Sequence, residues 1–315
     1  MKQNKKLKRV IFTILVVCII FIQFCNAQMV EIPLYSDNSL INKDNKSENR
    51  IYNPAGELTH ISAVAVPRLL VYRPDSSCGT GIIICPGGGY SNLNVENTRF
   101  VANRLSRLGI TVFVLVYRLP ADISTSDKST ASLQDVQAAF RLVRSRAEEW
   151  GLSPDKIGLW GSSAGGHLAA MAATHYSISY VSGADTSGLR PDFLVLTFPV
   201  VSFRPGLVHK GSMKNLLGEN PDEQQIAYYS PDEWVNTRTP ATFLVHANDD
   251  KSVSACNSIR FYEALKKAGV PAELHIYEKG GHGFGIAPDV SDSWMSQLEI
   301  WLRSRSLINK KTGEQ

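Results

Sequence analysis

The pentapeptide Gly161-Ser162-Ser163-Ala164-Gly165 follows the apolar run Ile157-Gly158-Leu159-Trp160 and leads into the small-residue run Gly166-His167-Leu168-Ala169-Ala170. Glycines flanking a serine in this context permit a tight strand-to-helix turn that pushes the hydroxyl out of a sheet, and the helix start behind it favours negative charge. Ser163 is thereby the candidate nucleophile, and Ser162, at the variable position, the lesser one. A helix N-cap serine after a strand would use the same residue type without chemistry, so a base must be found. A hydroxyl is a weak nucleophile until a neutral imidazole takes its proton. Of the seven histidines, His282 stands in Lys279-Gly280-Gly281-His282-Gly283, directly after the strand-like run Leu274-His275-Ile276-Tyr277. His246 ends another apolar run, and His167 reads as a structural residue of the helix after Ser163.

A carboxylate lying between serine and histidine in the chain would fix the imidazole tautomer and stabilise the imidazolium. The segment Ala247-Asn248-Asp249-Asp250-Lys251 offers two. Asp250, closer to the helix that follows, is expected to be that acid, and Asp249 a loop or capping carboxylate. Upstream, Ile82-Ile83-Ile84-Cys85 runs into Pro86-Gly87-Gly88-Gly89-Tyr90, where backbone N–H groups can approach a ligand without intervening side chains. An ester carbonyl turning tetrahedral needs at least two such donors about 3 Å away. Gly88, Gly89 and Ala164 are the expected set. The loop lacks the Gly-Lys-Ser/Thr ending of a phosphate-binding loop, and no Cys/His spacing resembles a zinc site, so neither cofactor nor metal is expected. Tyr90 and Trp160 flank these segments and would line an acyl pocket or belong to the core.

Positioning these loops requires strands that end where the loops begin. Short β-branched runs occur at residues 69–72, 81–85, 110–117, 156–160, 193–197, 241–246 and 273–277, several of them apolar without alternation, as in strands covered on both faces. Helical patterns lie between them at 96–108, 133–150, 163–175, 254–268 and 291–303. Strand and helix in turn predict an α/β fold with a mostly parallel central sheet and helices on both faces.

The formal charge of +4 is misleading, because five basic residues fall in the first nine positions and no acidic residue precedes Glu31. The remainder carries 28 basic against 29 acidic side chains, which gives no electrostatic footprint for nucleic acid or anionic lipid. The basic start, the apolar run 10–24 and Cys25-Asn26-Ala27 follow the plan of a secretory signal peptide cut after Ala27, the apolar run being short of the roughly 20 residues of a membrane span. Residues 1–27 are therefore expected to be removed on export, leaving no membrane segment, residues 28–62 to form a partly irregular leader with a loop at 42–50, and 63–315 to form one catalytic domain. Of the three cysteines left, Cys78, Cys85 and Cys256, at least one must be unpaired; inert thiols are expected, with a Cys78–Cys85 bridge as the alternative. No feature sets an oligomeric state.

From Leu69 to Phe284 the chain resembles the α/β-hydrolase superfamily, and within it the bacterial secreted acetyl esterases and acetylxylan esterases of the feruloyl-esterase-like, BD-FAE type. The resemblance is carried by Cys85-Pro86-Gly87-Gly88-Gly89-Tyr90, Glu96, Leu115-Val116-Tyr117-Arg118-Leu119, Asp135 with Arg144, Gly151-Leu152-Ser153-Pro154-Asp155, the Ser163 pentapeptide, the Asp250 and His282 segments, and Phe261-Tyr262-Glu263-Ala264-Leu265 with Gly269-Val270-Pro271. Pro86 replaces the histidine that opens the His-Gly-Gly-Gly motif of hormone-sensitive-lipase-like enzymes, which separates the chain from that branch. Asn97 and Ser254 stand where the subgroup usually has glycine and proline. The resemblance implies an exported serine esterase that removes short acyl groups, acetyl foremost, from plant polysaccharide such as xylan, with acylated carbohydrate or a small ester as its binding partner. Competing readings are a short-chain carboxylesterase without sugar preference, a prolyl-oligopeptidase-type peptidase, and a carbohydrate-binding relative without catalysis.

Overall fold

The structure is a computed structural model that describes residues 30–35, 47–122, 128–181, 185–283 and 288–309. The chain divides into two units, Met1–Val30 and Glu31–Gln315, and apart from Val30 the described strands and helices lie in the second. The expected signal segment and residues 42–46 of the expected 42–50 loop lie outside the described residues.

Eleven strands and seven α-helices are described. The leader and its continuation give β1 (Val30–Pro33), β2 (Asn49–Tyr52), β3 (Leu58–Ser62) and β4 (Arg68–Tyr72). Then follow β5 (Gly81–Cys85), β6 (Leu93–Asn94), α1 (Val95–Ser106), β7 (Thr111–Val116), α2 (Ala131–Ser145), β8 (Ile157–Ser162) and α3 (Ala164–Thr174). The C-terminal half contributes β9 (Phe193–Thr197), α4 (Lys210–Leu217), α5 (Glu223–Tyr228), β10 (Ala241–Ala247), α6 (Cys256–Lys267), β11 (Ala272–Tyr277) and α7 (Pro288–Ser304). The main sheet has eight strands in the order β1-β4-β7-β5-β8-β9-β10-β11. From β7 to β11 every pairing is parallel, and β4 runs antiparallel to β7.

Every residue of β5, β7 and β9 is buried. Strands buried at successive positions have no solvent face, which is why their sequences read as unbroken apolar runs and why helices must cover both sides. The core includes Trp160 and Trp294 packed edge to face, with ring centroids 5.9 Å apart. All seven strands expected from the sequence are present within two residues of their predicted limits, and the 133–150 helix divides into α2 and a short 3-10 turn at Glu148–Trp150.

The leader is more ordered than its composition suggested. β2 pairs antiparallel with β3, and β3 with β6, forming a separate three-stranded sheet. β2 is exposed at all four positions, so no hydrophobic pattern marks it. β3 buries Thr59 and Ile61 alternately, a signal too short to separate from loop. Glu48 fixes this layer to the main sheet through a two-pronged pair with Arg68, at 2.7 and 2.8 Å.

Cys78, Cys85 and Cys256 are free thiols. Cys85 is enclosed at the end of β5, where burial raises its thiol well above the ordinary value. A buried ion pair joins the end of β7 to α2: Arg118 Nη2 donates to Asp135 Oδ1 at 2.7 Å and the Arg118 backbone N–H to Asp135 Oδ2 at 2.8 Å. Tyr35 adds a hydroxyl to Asp135 Oδ1 at 2.8 Å, so the leader closes over a carboxylate that is fully buried. Removing one partner of such a pair strands the other charge without water. Asp135→Ala is accordingly expected to lower stability by about 3–5 kcal/mol in urea unfolding, whereas the double replacement Arg118→Met/Asp135→Leu should recover most of that loss.

Candidate active site

The loops that matter leave the carboxyl ends of neighbouring parallel strands, where open α/β sheets place their ligands. β8 delivers Ser163, β5 on one side delivers the glycine loop, and β10 and β11 on the other deliver Asp250 and His282. Ser163 has φ 54° and ψ −122°, a conformation that ordinary residues adopt only under constraint from their surroundings. The constraint is visible. Its N–H donates to Thr197 O at 3.1 Å, and its carbonyl accepts from both His167 N–H and Val200 N–H at 3.1 Å. The glycines of the pentapeptide allow the approach: a Cβ at Gly165 would lie 2.2 Å from Cys85 O, and one at Gly161 would lie 2.2 Å from Gly165 O.

Ser163 Oγ lies 2.9 Å from His282 Nε2, and His282 Nδ1 lies 2.7 Å from Asp250 Oδ2. Because the carboxylate can only accept, Nδ1 carries the proton and Nε2 is left bare toward the hydroxyl. The Asp250 side chain is 0% exposed and that of His282 29%, so the relay runs from a dry carboxylate outward to a reachable imidazole. Burial works against the charged form of Asp250, but hydrogen bonds from His246, His282 and the Val253 N–H outweigh it and hold the carboxyl far below the usual carboxylate range. The second oxygen, Oδ1, accepts the N–H groups of Ser252 and Val253 at 2.9 and 3.0 Å. Asp249 is turned elsewhere: its Oδ1 accepts the Gly281 N–H at 2.8 Å and ties the β10 loop to the His282 loop. Phe198 packs its ring edge to face with His282, centroids 5.0 Å apart.

The glycine loop shows how donors are aimed without side chains. Gly87 O accepts Asn94 N–H at 2.8 Å, and Gly88 O accepts Ser91 N–H at 3.0 Å and Asn92 N–H at 3.2 Å. In a planar trans peptide the N–H points opposite to the carbonyl, so fixing these two carbonyls turns the N–H groups of Gly88 and Gly89 the other way. Among the described residues neither they nor the Ala164 N–H has a protein acceptor. Gly88 has φ 140°, and a Cβ there would sit 2.0 Å from Asn92 O, so only glycine fits.

Gly88, Gly89, Ser163 and His282 border one cavity of about 350 Å³. One part of its wall is apolar, with Ile84, Val101, Trp160 and Trp294; another is polar, with Asn92, Asn94, Asn97, His209 and Ser252. Trp160 thus serves both as core and as cavity wall. Tyr90 belongs to the core alone: it does not border the cavity, is 1% exposed, and shares a hydrogen bond of 2.8 Å with His167 Nδ1. His167 Nε2 donates to Tyr229 O at 2.8 Å, which leaves Nδ1 to accept the Tyr90 hydroxyl. Burial pushes the His167 imidazole down to about 4, so it stays neutral. The pair joins the glycine loop to the helix behind Ser163.

The polar wall is what the sequence did not disclose. Asn92, Asn94 and His209 carry no motif, and His209 follows a proline–glycine turn with nothing around it that marks chemistry. The contacts of His246 were equally hidden. His246 is fully buried and places Nε2 2.9 Å from Val253 O and 3.3 Å from Asp250 Oδ2, while Nδ1 lies 2.8 Å from Ser258 Oγ. Among the described residues no group of His, Cys, Asp and Glu is arranged to hold a metal ion, and no helix is long and apolar enough to cross a membrane.

Comparison with known proteins places this geometry in a family. The BD-FAE family model matches residues 69–265, and the dienelactone hydrolase family model matches residues 226–310. An acetylxylan esterase of Xylanibacter ruminicola is 34% identical over 244 residues, covering 75% of this chain and 48% of that protein. An endo-1,4-beta-xylanase B of Butyrivibrio fibrisolvens is 29% identical over 251 residues, covering 77% of this chain and 39% of that protein. The chain thus spans about half the length, or less, of these curated relatives. The crystal structure of an acetyl ester-xyloside bifunctional hydrolase from Caldicellulosiruptor lactoaceticus superposes with a TM-score of 0.74 at 37% identity, over 89% of this chain and 97% of that one. With the Ser163 turn, the glycine loop and the parallel sheet in place, the chain belongs to the BD-FAE family of α/β-hydrolases.

Proposed function

We propose that the protein is an exported serine esterase that removes short acyl groups, acetyl foremost, from xylan or its oligosaccharides, with Ser163, His282 and Asp250 as its catalytic triad. The observation that carries this reading is the continuous relay from Asp250 through His282 to Ser163 Oγ, opening into a cavity beside unpaired N–H donors. His282 Nε2 takes the hydroxyl proton as Oγ attacks the ester carbonyl carbon. The imidazolium so formed is stabilised by the Asp250 charge across the Nδ1–H bond. The carbonyl oxygen becomes an oxyanion held by the N–H groups of Gly88, Gly89 and Ala164, which are already oriented before substrate arrives. His282 then returns the proton to the departing alcohol oxygen, leaving an acyl group on Ser163. Water, deprotonated along the same path, hydrolyses that acyl-enzyme and regenerates the hydroxyl. Neither a metal nor an organic cofactor is required by any step.

A cavity of about 350 Å³ whose apolar wall is interrupted by amides and imidazole suits a small acyl group attached to a polar alcohol. Similarity to an acetylxylan esterase supports a xylan-related substrate, and the basic-then-apolar N-terminus supports export to the periplasm or the exterior, where such substrate is met. The direct test is acetate release from acetylated xylo-oligosaccharides by the mature protein and by Ser163→Ala, beside p-nitrophenyl acetate and methyl ferulate. Sugar acetate release that disappears in Ser163→Ala is the expected result; hydrolysis of the artificial ester alone would remove the carbohydrate assignment.

Ser163→Ala and His282→Ala should each lower kcat by about 10⁴ to 10⁶-fold. Asp250→Ala should also remove most activity while Asp249→Ala retains the larger part of it, and steady-state kinetics showing the reverse order would move the triad acid to Asp249. Tyr90→Phe removes only a hydroxyl, so it should lower kcat by roughly tenfold, the equivalent of about 1.4 kcal/mol, with KM little changed, if the Tyr90–His167 bond sets the position of the oxyanion donors. Asp250 also affects stability with a definite sign. Its folded-state carboxyl titrates below the unfolded one, so its contribution is complete above about pH 4 and is lost as pH falls further. In Asp250→Asn, unfolding free energies measured below that point should decline less steeply with acid than in the parent protein.

A further inference from the structure

His209 precedes α4 and caps it with a ring nitrogen: Ser212 N–H donates to His209 Nδ1 at 3.1 Å, and Ser212 Oγ lies 2.8 Å from the same atom. A nitrogen that accepts a backbone N–H carries no proton of its own, so the neutral ring must hold its proton on Nε2. Partial burial, and then the neighbouring His282, keep the His209 imidazole below its ordinary pKa, with Asp250 acting in the opposite direction. The ring is therefore a neutral donor at neutral pH. That donor has no partner among the described residues, and His209 borders the cavity shared by Ser163 and His282.

The function proposed above leaves one place for such a donor. In an ester of a short acyl group the carbonyl oxygen goes to the Gly88, Gly89 and Ala164 N–H groups, and the ester oxygen receives its proton from His282. An acetyl group offers no other acceptor, so any remaining hydrogen bond must come from the alcohol. A sugar places hydroxyl oxygens one carbon away from the esterified position; a simple alkyl alcohol places none. We propose that His209 Nε2–H donates to a hydroxyl oxygen of the alcohol moiety adjacent to the scissile ester, making His209 a residue that determines preference for polyol over alkyl esters. This inference rests on the serine esterase reading but not on xylan being the natural substrate.

The two nitrogens of His209 can be tested separately. Asn at this position retains an acceptor near the place of Nδ1 and is a good helix cap, but withdraws the Nε2 donor; Gln retains an amide N–H near the place of Nε2 but loses the cap. The measurement is the ratio of kcat/KM for 2-hydroxyethyl acetate to that for propyl acetate, which differ only in a hydroxyl in place of a methyl group, together with the thermal midpoint of each protein. The parent protein should favour the hydroxylated ester by roughly tenfold, the equivalent of about 1.4 kcal/mol. His209→Asn should bring the ratio close to one at a nearly unchanged midpoint, and His209→Gln should keep much of the ratio at a lowered midpoint. A parent protein without the preference, or a His209→Asn protein that keeps it even if both esters react more slowly, would overturn the assignment. Failure of the parent protein to hydrolyse either ester, with folding intact, would overturn the esterase reading and this inference together, an outcome distinct from a lost preference.

Discussion

The active-site end of the sheet depends on how closely two backbones approach each other. The helix that begins at Ala164 starts under the carbonyls of Cys85 and Pro86, so near that a single Cβ on Gly165 would stand 2.2 and 2.4 Å from them. That contact makes the serine turn and the glycine loop one rigid body. Ser163 cannot relax from its positive φ while Thr197, His167 and Val200 hold both of its backbone groups. The strain is of order 1–3 kcal/mol, and what it achieves is a hydroxyl raised off the sheet with the Ala164 N–H next to it. The loop from β5 is then held from behind by Tyr90 and His167, whose hydrogen bond is 2.8 Å. Ser163 and the proposed oxyanion donors thus share one support, and relative motion between them is resisted by packed backbone rather than by flexible side chains.

The other half of the relay has the opposite problem, a charge in a dry place. Asp250 is buried beneath His282 and would favour the neutral acid if burial were the only influence. Four N–H groups prevent this, from Ser252, Val253, His246 and His282 with both carboxylate oxygens engaged. One of these donors is shared, since His246 Nε2 lies between Val253 O and Asp250 Oδ2. Local backbone supplies two donors through the turn after Asp250, so the carboxylate is oriented by the same residues that end β10 and lead to α6. Asp249, one residue earlier, points to the neighbouring loop and accepts Gly281 N–H, which places the two adjacent acids in distinct roles.

Which features could be read from sequence follows from which forces leave a local trace. Strands covered on both faces must be apolar throughout, so β5, β7 and β9 were visible in composition alone. The Ser163 turn was visible because close approach admits glycine only, and a glycine at a fixed offset survives as a pattern. Asp250 and His282 were legible from their places at strand ends and their order along the chain. The leader strands β2 and β3 were not, since β2 exposes every residue and is ordered by pairing with β3, which in turn pairs with the more distant β6. Tyr90 had two readings from sequence, and only the location of His167, 77 residues away, selects the core. His209 left no trace at all: its proposed role depends on Ser212 taking one nitrogen and on the ring bordering the same cavity as Ser163, and the second of these is not a local property.

The short helix α4 joins these two classes of feature. At its start His209 caps the first turn and contributes to the polar wall, and near its end Asn215 Nδ2 donates to Gly89 O at 2.7 Å. This eight-residue helix and its cap therefore touch both the glycine loop and the polar part of the cavity wall. Its helical hydrogen bonds fix the distance between these contacts. A substitution that loosened α4 would then disturb the carbonyl of Gly89 and the ring of His209 at once, coupling the proposed hold on the reacting carbonyl to the proposed hold on the alcohol. On a shared fold, substrate choice is made by such added segments, because the sheet ends position the triad and leave the rest of the cavity wall to the connections between strands.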